Sequence, residues 1–153
     1  MTENGKKKIL FVSWESLSGD LAWFAKKEGH DIKCWVKREE DKDVYEGILD
    51  KVSSWEEWAD WADVIIFDDT GFGSYADKLR AKGKHVIGGS TYTDKLEDDR
   101  KFGQAEMKRV GMMTIPTWDF TNFEEAIEFI KEHPDRYVFK PSGFTTSDDK
   151  GLL

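Results

Sequence analysis

Asp63-Val-Ile-Ile-Phe-Asp68 is the stretch on which the fold turns: four consecutive apolar residues set between carboxylates. A run this short and this continuous predicts a strand buried on both faces, the condition of a strand inside a parallel sheet. Toward the N-terminus, Lys8-Ile-Leu-Phe-Val-Ser13 and Ile32 to Val36 read as two further strands. Between them, Leu17 to Glu28 carries Leu21, Ala22, Phe24 and Ala25 at helical spacing and stops before Gly29. Toward the C-terminus come a glycine-bearing loop from Asp69 to Gly73, a helix predicted near Tyr75 to Lys82 and ended by Gly83, and a short strand His85-Val-Ile-Gly88. A polar stretch from Lys37 to Ser53 leads to Trp55, Trp58 and Trp61, whose spacing predicts a short helix that buries at least two rings against the sheet. The order βαβαβαβ predicts an α/β, Rossmann-like parallel sheet with helices on both faces. Its ligands are expected outside the carboxyl ends of the strands.

After Gly88-Gly89-Ser90 the rhythm changes. A long polar helix is expected from about Asp94 to Val110, followed by Ile115-Pro-Thr-Trp-Asp-Phe120, so residues 1–92 and 93–153 read as two domains. Asn122 is placed to cap a helix from Phe123 to Glu132, and Arg136-Tyr-Val-Phe-Lys140 reads as another strand.

The bulk properties narrow the function. Hydrophobic residues make up 39% and charged residues 35% of the 153, the proportions of a folded globular chain, and no early apolar run suffices for a signal peptide or a membrane span. A cytoplasmic protein is expected. The formal net charge of −8 opposes nucleic acid and anionic membranes as partners but leaves room for a nucleotide held by a few local donors. The single cysteine, Cys34, has no partner for a disulfide and reads as a small buried thiol. His30, His85 and His133 offer no metal-ligand spacing, so no zinc site is expected. Nucleophile-elbow, Walker and GxGxxG motifs do not occur.

From Asp99 onward an ordered series of short motifs runs Asp99-Arg100-Lys101-Phe102, Met107-Lys108-Arg109, Gly111, Ile115-Pro116-Thr117, the helix from Phe123, and Val138-Phe139-Lys140. Leu21-Ala22-Trp23 precedes it on the first helix. In this order the motifs resemble the ATP-grasp superfamily, phosphoribosylamine-glycine ligase in particular. The resemblance implies a preATP-grasp domain followed by the start of an ATP-grasp domain, which together form the front end of a ligase that joins a carboxylate to an amine through an acyl-phosphate. It implies ATP and Mg²⁺ as cofactors of the full-length protein, a place in purine biosynthesis, and small-molecule carboxylate and amine substrates.

Carried over residue by residue, the resemblance assigns nucleotide contact to Arg100, Lys140, Ser142, Gly143 and Lys150. A strand-terminal lysine gives a phosphate a positive charge, and the loop Pro141 to Gly151 can close over it with N–H groups. Substrate contact falls to Ser16, Ser18 and Gly19 in the first loop; apart from the resemblance, Asp68, Asp69, Gly71 and Gly73 sit after the third strand, where an α/β fold places ligand contacts and where Asp and Gly are also ordinary turn formers. In the first loop Ser16, Ser18 and Gly19 can present donors to an anion while Glu15 and Asp20 oppose a phosphate, which leaves open whether the acceptor is ribosylamine phosphate or another. Ser18 and Asp20 also suit plain helix capping, and Arg100 also suits pairing with Asp98 or Asp99.

The metal ligands and catalytic residues of such ligases lie further along than Leu153. The chain is therefore expected to be the truncated front part of a longer ligase, inactive alone and binding ATP weakly. A receiver-like signalling domain is a second reading, built on Asp68, Ser90 or Thr91, and Lys140-Pro141. A stand-alone ligand-binding Rossmann module is a third.

Overall fold

The computed structural model describes residues 5–140. The elements in order are β1 (Lys8–Ser13), α1 (Gly19–Lys27), β2 (Asp31–Val36), β3 (Val64–Phe67), α2 (Gly73–Ala81), β4 (His85–Ile87), α3 (Thr91–Asp98), α4 (Arg100–Arg109) and α5 (Phe123–Glu132). The chain divides into two compact units, Met1–Asp94 and Lys95–Leu153. No helix among the described residues is long and apolar enough to cross a membrane.

The first unit is a four-stranded parallel sheet in the order β2-β1-β3-β4. Alternate side chains of the central strands point to opposite faces. Leu10, Val12, Ile65 and Phe67 face one layer, where they meet Trp55, Ala59, Phe72 and Ala76 of α2 and the segment before β3. Phe11, Ile32 and Cys34 face the other and pack on Ala22 of α1 and Leu49. The α/β fold with helices on both faces follows from this alternation. Burial of Leu10, Val12 and Ile65, the largest wholly enclosed side chains, contributes roughly 1.5 to 3 kcal/mol apiece. The edge at β2 is closed off because Cys34 N–H donates to Asp50 O and Val52 N–H donates to Cys34 O, both at 2.9 Å.

Three expectations are corrected. The tryptophan segment is not an α-helix but a single 3₁₀ turn at Glu56–Trp58, and only Trp55, 5% exposed, is fully buried. Trp58 and Trp61 pack edge to face at the border of the core, with the Lys33 ammonium 3.8 Å from the Trp58 ring centre. Spacing by three serves a 3₁₀ turn as well as an α-helix, which is why the pattern misled.

The long helix expected from Asp94 to Val110 is two helices. Asp99 adopts an extended backbone (φ −103°, ψ 92°) and its Oδ1 accepts the Phe102 N–H at 2.9 Å, so the chain stops and starts again on a new cap. Gly103 permits the sharp return, because a Cβ there would lie 2.8 Å from Leu96 O. Arg136 to Lys140 pairs with no strand among the described residues. The cap of α5 forms as the sequence predicts, with Asn122 accepting the Glu125 N–H at 2.9 Å.

Candidate functional site

The carboxyl ends of β1 and β3 lead into two loops that meet. Ser16 takes a left-handed backbone conformation (φ 65°), and its carbonyl accepts the Gly19 N–H at 3.0 Å, which turns the chain into α1. Leu17 N–H donates to Ser13 Oγ at 3.2 Å. Ser18 then aims two donors across the loop: its N–H reaches Asp68 Oδ2 at 2.8 Å and its hydroxyl reaches the same oxygen at 2.6 Å. The first turn of α1 thus already holds a carboxylate where a bound anion would otherwise sit. The other oxygen, Asp68 Oδ1, is enclosed without a hydrogen-bond partner among the described residues.

Space at this turn is small. Tyr45 lies flat against Gly19, where any side chain would collide with its ring, and donates its hydroxyl to Asp20 Oδ1 at 2.7 Å. That bond, ahead of desolvation, raises the Tyr45 phenol above its ordinary value. The cavity among Ser13, Ser16, Ser18, Cys34 and Val36 is about 10 Å³, room for about one water and none for a phosphate. Burial pushes the Cys34 thiol up to about 12, the state of an unreactive thiol. Burial also lowers Lys51. The cations nearby are engaged as well, since Arg38 pairs with Glu15 and the Lys37 ammonium lies 3.5 Å from the Trp14 ring centre.

The loop after β3 repeats the arrangement. Asp69 Oδ1 accepts the Thr70 N–H at 2.8 Å, and Trp14 Nε1 donates to Thr70 O at 3.1 Å beside Gly71 (φ 82°). Gly73 opens α2 and gives its N–H to Asp94 Oδ2 at 2.7 Å; a side chain there would strike the Ser90 backbone. Thr91 opens α3 and gives its N–H to Asp77 Oδ2 at 2.9 Å, and this backbone bond leads the causes that hold Asp77 below the ordinary carboxylate value. Each of the three helix starts in this region therefore carries a carboxylate brought from another element.

The structure accordingly brings Ser16, Ser18, Gly19 and Asp68 together, sets Gly71 against Trp14 with Asp69 bonded to the neighbouring Thr70 N–H, and places Gly73 with Asp94. Ser18 occupies the cap position of α1 but makes no capping bond with its side chain, so the capping reading fails for it. Tyr45 and Asp94 complete the site and were not foreseen. Each is recognised only through a partner more than twenty residues away, and no local pattern marks it.

Arg100 and Lys140 belong to the second unit. Both are exposed, and neither has an ion-pair or hydrogen-bond partner among the described residues. Arg100 pairs with neither Asp98 nor Asp99, and Asp99 Oδ1 accepts the Phe102 N–H instead. Ser142, Gly143 and Lys150 lie outside the described residues. Among the described residues no three histidine, cysteine or carboxylate groups converge to hold a metal ion.

No protein-family model and no curated protein matches the chain. Among solved structures it is similar to N5-carboxyaminoimidazole synthetase from Staphylococcus aureus in complex with ADP, at 15% identity and a TM-score of 0.62 over 82% of this chain and 36% of that one. It is similar also to N5-carboxyaminoimidazole ribonucleotide synthetase from Thermotoga maritima, at 17% identity and a TM-score of 0.60 over 81% and 36%. An ADP complex of the same kind of synthetase matches at 19% identity and a TM-score of 0.59 over 84% and 35%. The likeness is one of fold, that of the N-terminal preATP-grasp domain of such ligases. The chain spans about a third of the length of these synthetases.

Proposed function

We propose that this chain is the front portion of an ATP-dependent carboxylate-amine ligase of the ATP-grasp kind, with its sheet edge at the acceptor substrate and its second unit at the nucleotide. The observation that carries the reading is how far the structural likeness extends. Of 153 residues, 82% is about 125, and the first unit supplies at most 94, so at least about 31 matched residues come from beyond Asp94. The second unit is where the ordered motifs fall and where the Arg100 and Lys140 side chains have no hydrogen-bond or ion-pair partner among the described residues, which suits contact with a polyphosphate.

In this reading Arg100, Lys140, Ser142, Gly143 and Lys150 contact ATP phosphates. ATP supplies a phosphoryl group to the substrate carboxylate, with ADP leaving, and the amine then displaces phosphate from the acyl carbon. Mg²⁺ ligands are not supplied by the described residues, so no step through the metal is assigned to them. The complete reaction belongs to a protein of the length of the matched synthetases.

The acceptor is proposed to lack a phosphate. Asp68, Asp94 and Asp77 occupy the starts of α1, α2 and α3, and a phosphate brought to any of them would have to displace a carboxylate. With that acceptor the chain is still read as a ligase of the kind that the ordered motifs resemble, with purine biosynthesis as its proposed pathway.

Displacement of a fluorescent ATP analogue tests the nucleotide assignment. ATP and ADP should displace it with weak, roughly millimolar affinity, and Arg100→Ala with Lys140→Ala should abolish the signal. Displacement that ignores both substitutions would overturn the assignment.

A further inference from the structure

We infer that the outer face of α1 is the contact through which two copies of this chain associate, antiparallel across a two-fold axis. The buried side of α1 is made by Gly19 and Ala22. On its opposite side Leu21 and Phe24 are 56% and 54% exposed, three residues apart in a single outward stripe, with Leu17, 61% exposed, in the loop that leads into the helix. A nine-residue helix covering a sheet has no internal need for a second apolar stripe pointing away from that sheet. Trp23 widens the patch beside it, with its ring tilted against Phe24. Contiguous exposed apolar surface rimmed by charge marks an interaction site.

The charges around the stripe favour a second copy over other occupants. Asp20 and Lys27 are seven residues apart, so they lie on the same flank of the helix, acid near its start and base near its end. When two such helices pack antiparallel through the stripe, that flank meets its own copy. Asp20 then faces Lys27 of the second copy and Lys27 faces its Asp20, while Leu21 meets Phe24 across the axis. A parallel two-fold pairing would set that flank against the opposite flank of the copy and form neither ion pair. Antiparallel pairing also sets each positive helix start beside the other's negative end. An anionic membrane is the poorer occupant, because the chain carries a net charge of −8.

The contact area of one short helix is well below that of a stable dimer, so association is weak and concentration-dependent. The inference is independent of the ligase reading and stands or falls on the oligomeric state.

Sedimentation velocity on the full chain, from micromolar to millimolar concentration, tests it. The expected result is a monomer–dimer equilibrium that Leu21→Glu or Phe24→Glu weakens roughly tenfold or more. A charge swap identifies the geometry, made on a Tyr45→Phe background so that loss of the Tyr45 bond to Asp20 is common to every variant. Asp20→Lys and Lys27→Asp should each weaken the dimer about five- to tenfold, given two symmetric ion pairs, and the double variant should restore it. A monomer at every concentration would overturn the inference. So would a dimer that survives Leu21→Glu, one lost to Ile127→Glu on α5 instead, or single swaps that the double swap fails to repair.

Discussion

Asp68 Oδ2 accepts two hydrogen bonds from Ser18, one from its N–H at 2.8 Å and one from its hydroxyl at 2.6 Å, joining residues fifty positions apart. This pair fixes the end of β3 to the start of α1 and sets the electrostatic character of the sheet edge. It makes a helix start that would attract an anion into one already satisfied.

Asp68→Ala should therefore do two things. It should destabilise the fold by about 1 to 3 kcal/mol, since both Ser18 donors lose their acceptor. It should also leave the α1 start open, so that inorganic phosphate raises the melting temperature of the variant more than that of the parent. Urea unfolding and thermal scans with and without phosphate check both. Equal gains for the two proteins would mean that Asp68 does not occupy an anion position.

Gly73→Ala should cost roughly 2 to 4 kcal/mol, because the new Cβ would enter the Ser90 backbone and crowd Asp94 at the start of α2. By contrast, Asp99→Ala should cost only about 1 kcal/mol through loss of the α4 cap. Urea unfolding of the two variants should rank them in that order.

Cys34 should impose an alkaline limit on stability. Burial raises its thiol from 9.0 to about 12, so the fold holds it neutral while the unfolded chain ionises. Its contribution is fully present below pH 9 and is lost as the pH rises from 9 toward 12. Cys34→Ala should be less stable at neutral pH but should show a shallower decline over that window. Parallel curves would place the alkaline limit elsewhere.

The sheet was legible because burial of β1 and β3 on both faces leaves unbroken apolar runs, and Leu10, Val12, Ile65 and Phe67 fall where such runs put them. The cap at Asn122 was legible because capping is a local affair of three residues. The division of the helix at Asp99 was not, because Asp98-Asp99 in a polar stretch reads equally as helix surface or as cap, and the close approach of Gly103 to Leu96 decides between them. At the site, the loops were legible as positions but not as chemistry. Ser18 read as a helix cap or a substrate donor and Gly73 as a turn former or a substrate contact, and only the fold shows that Asp68 and Asp94 arrive there from other elements.

The central claim is that nucleotide contact belongs to the second unit while the sheet edge of the first takes a substrate without phosphate. Residue-resolved NMR during titration of the full chain with Mg²⁺-ATP tests it most directly. The account predicts shifts at Arg100, Lys140 and the loop that follows, saturating only near millimolar concentration. It predicts unmoved amides at Ser16, Ser18, Gly19 and Gly73, and loss of the shifts on Lys140→Ala. Shifts concentrated at Ser18 and Gly73 with Arg100 and Lys140 silent, or micromolar binding indifferent to Lys140→Ala, would contradict it.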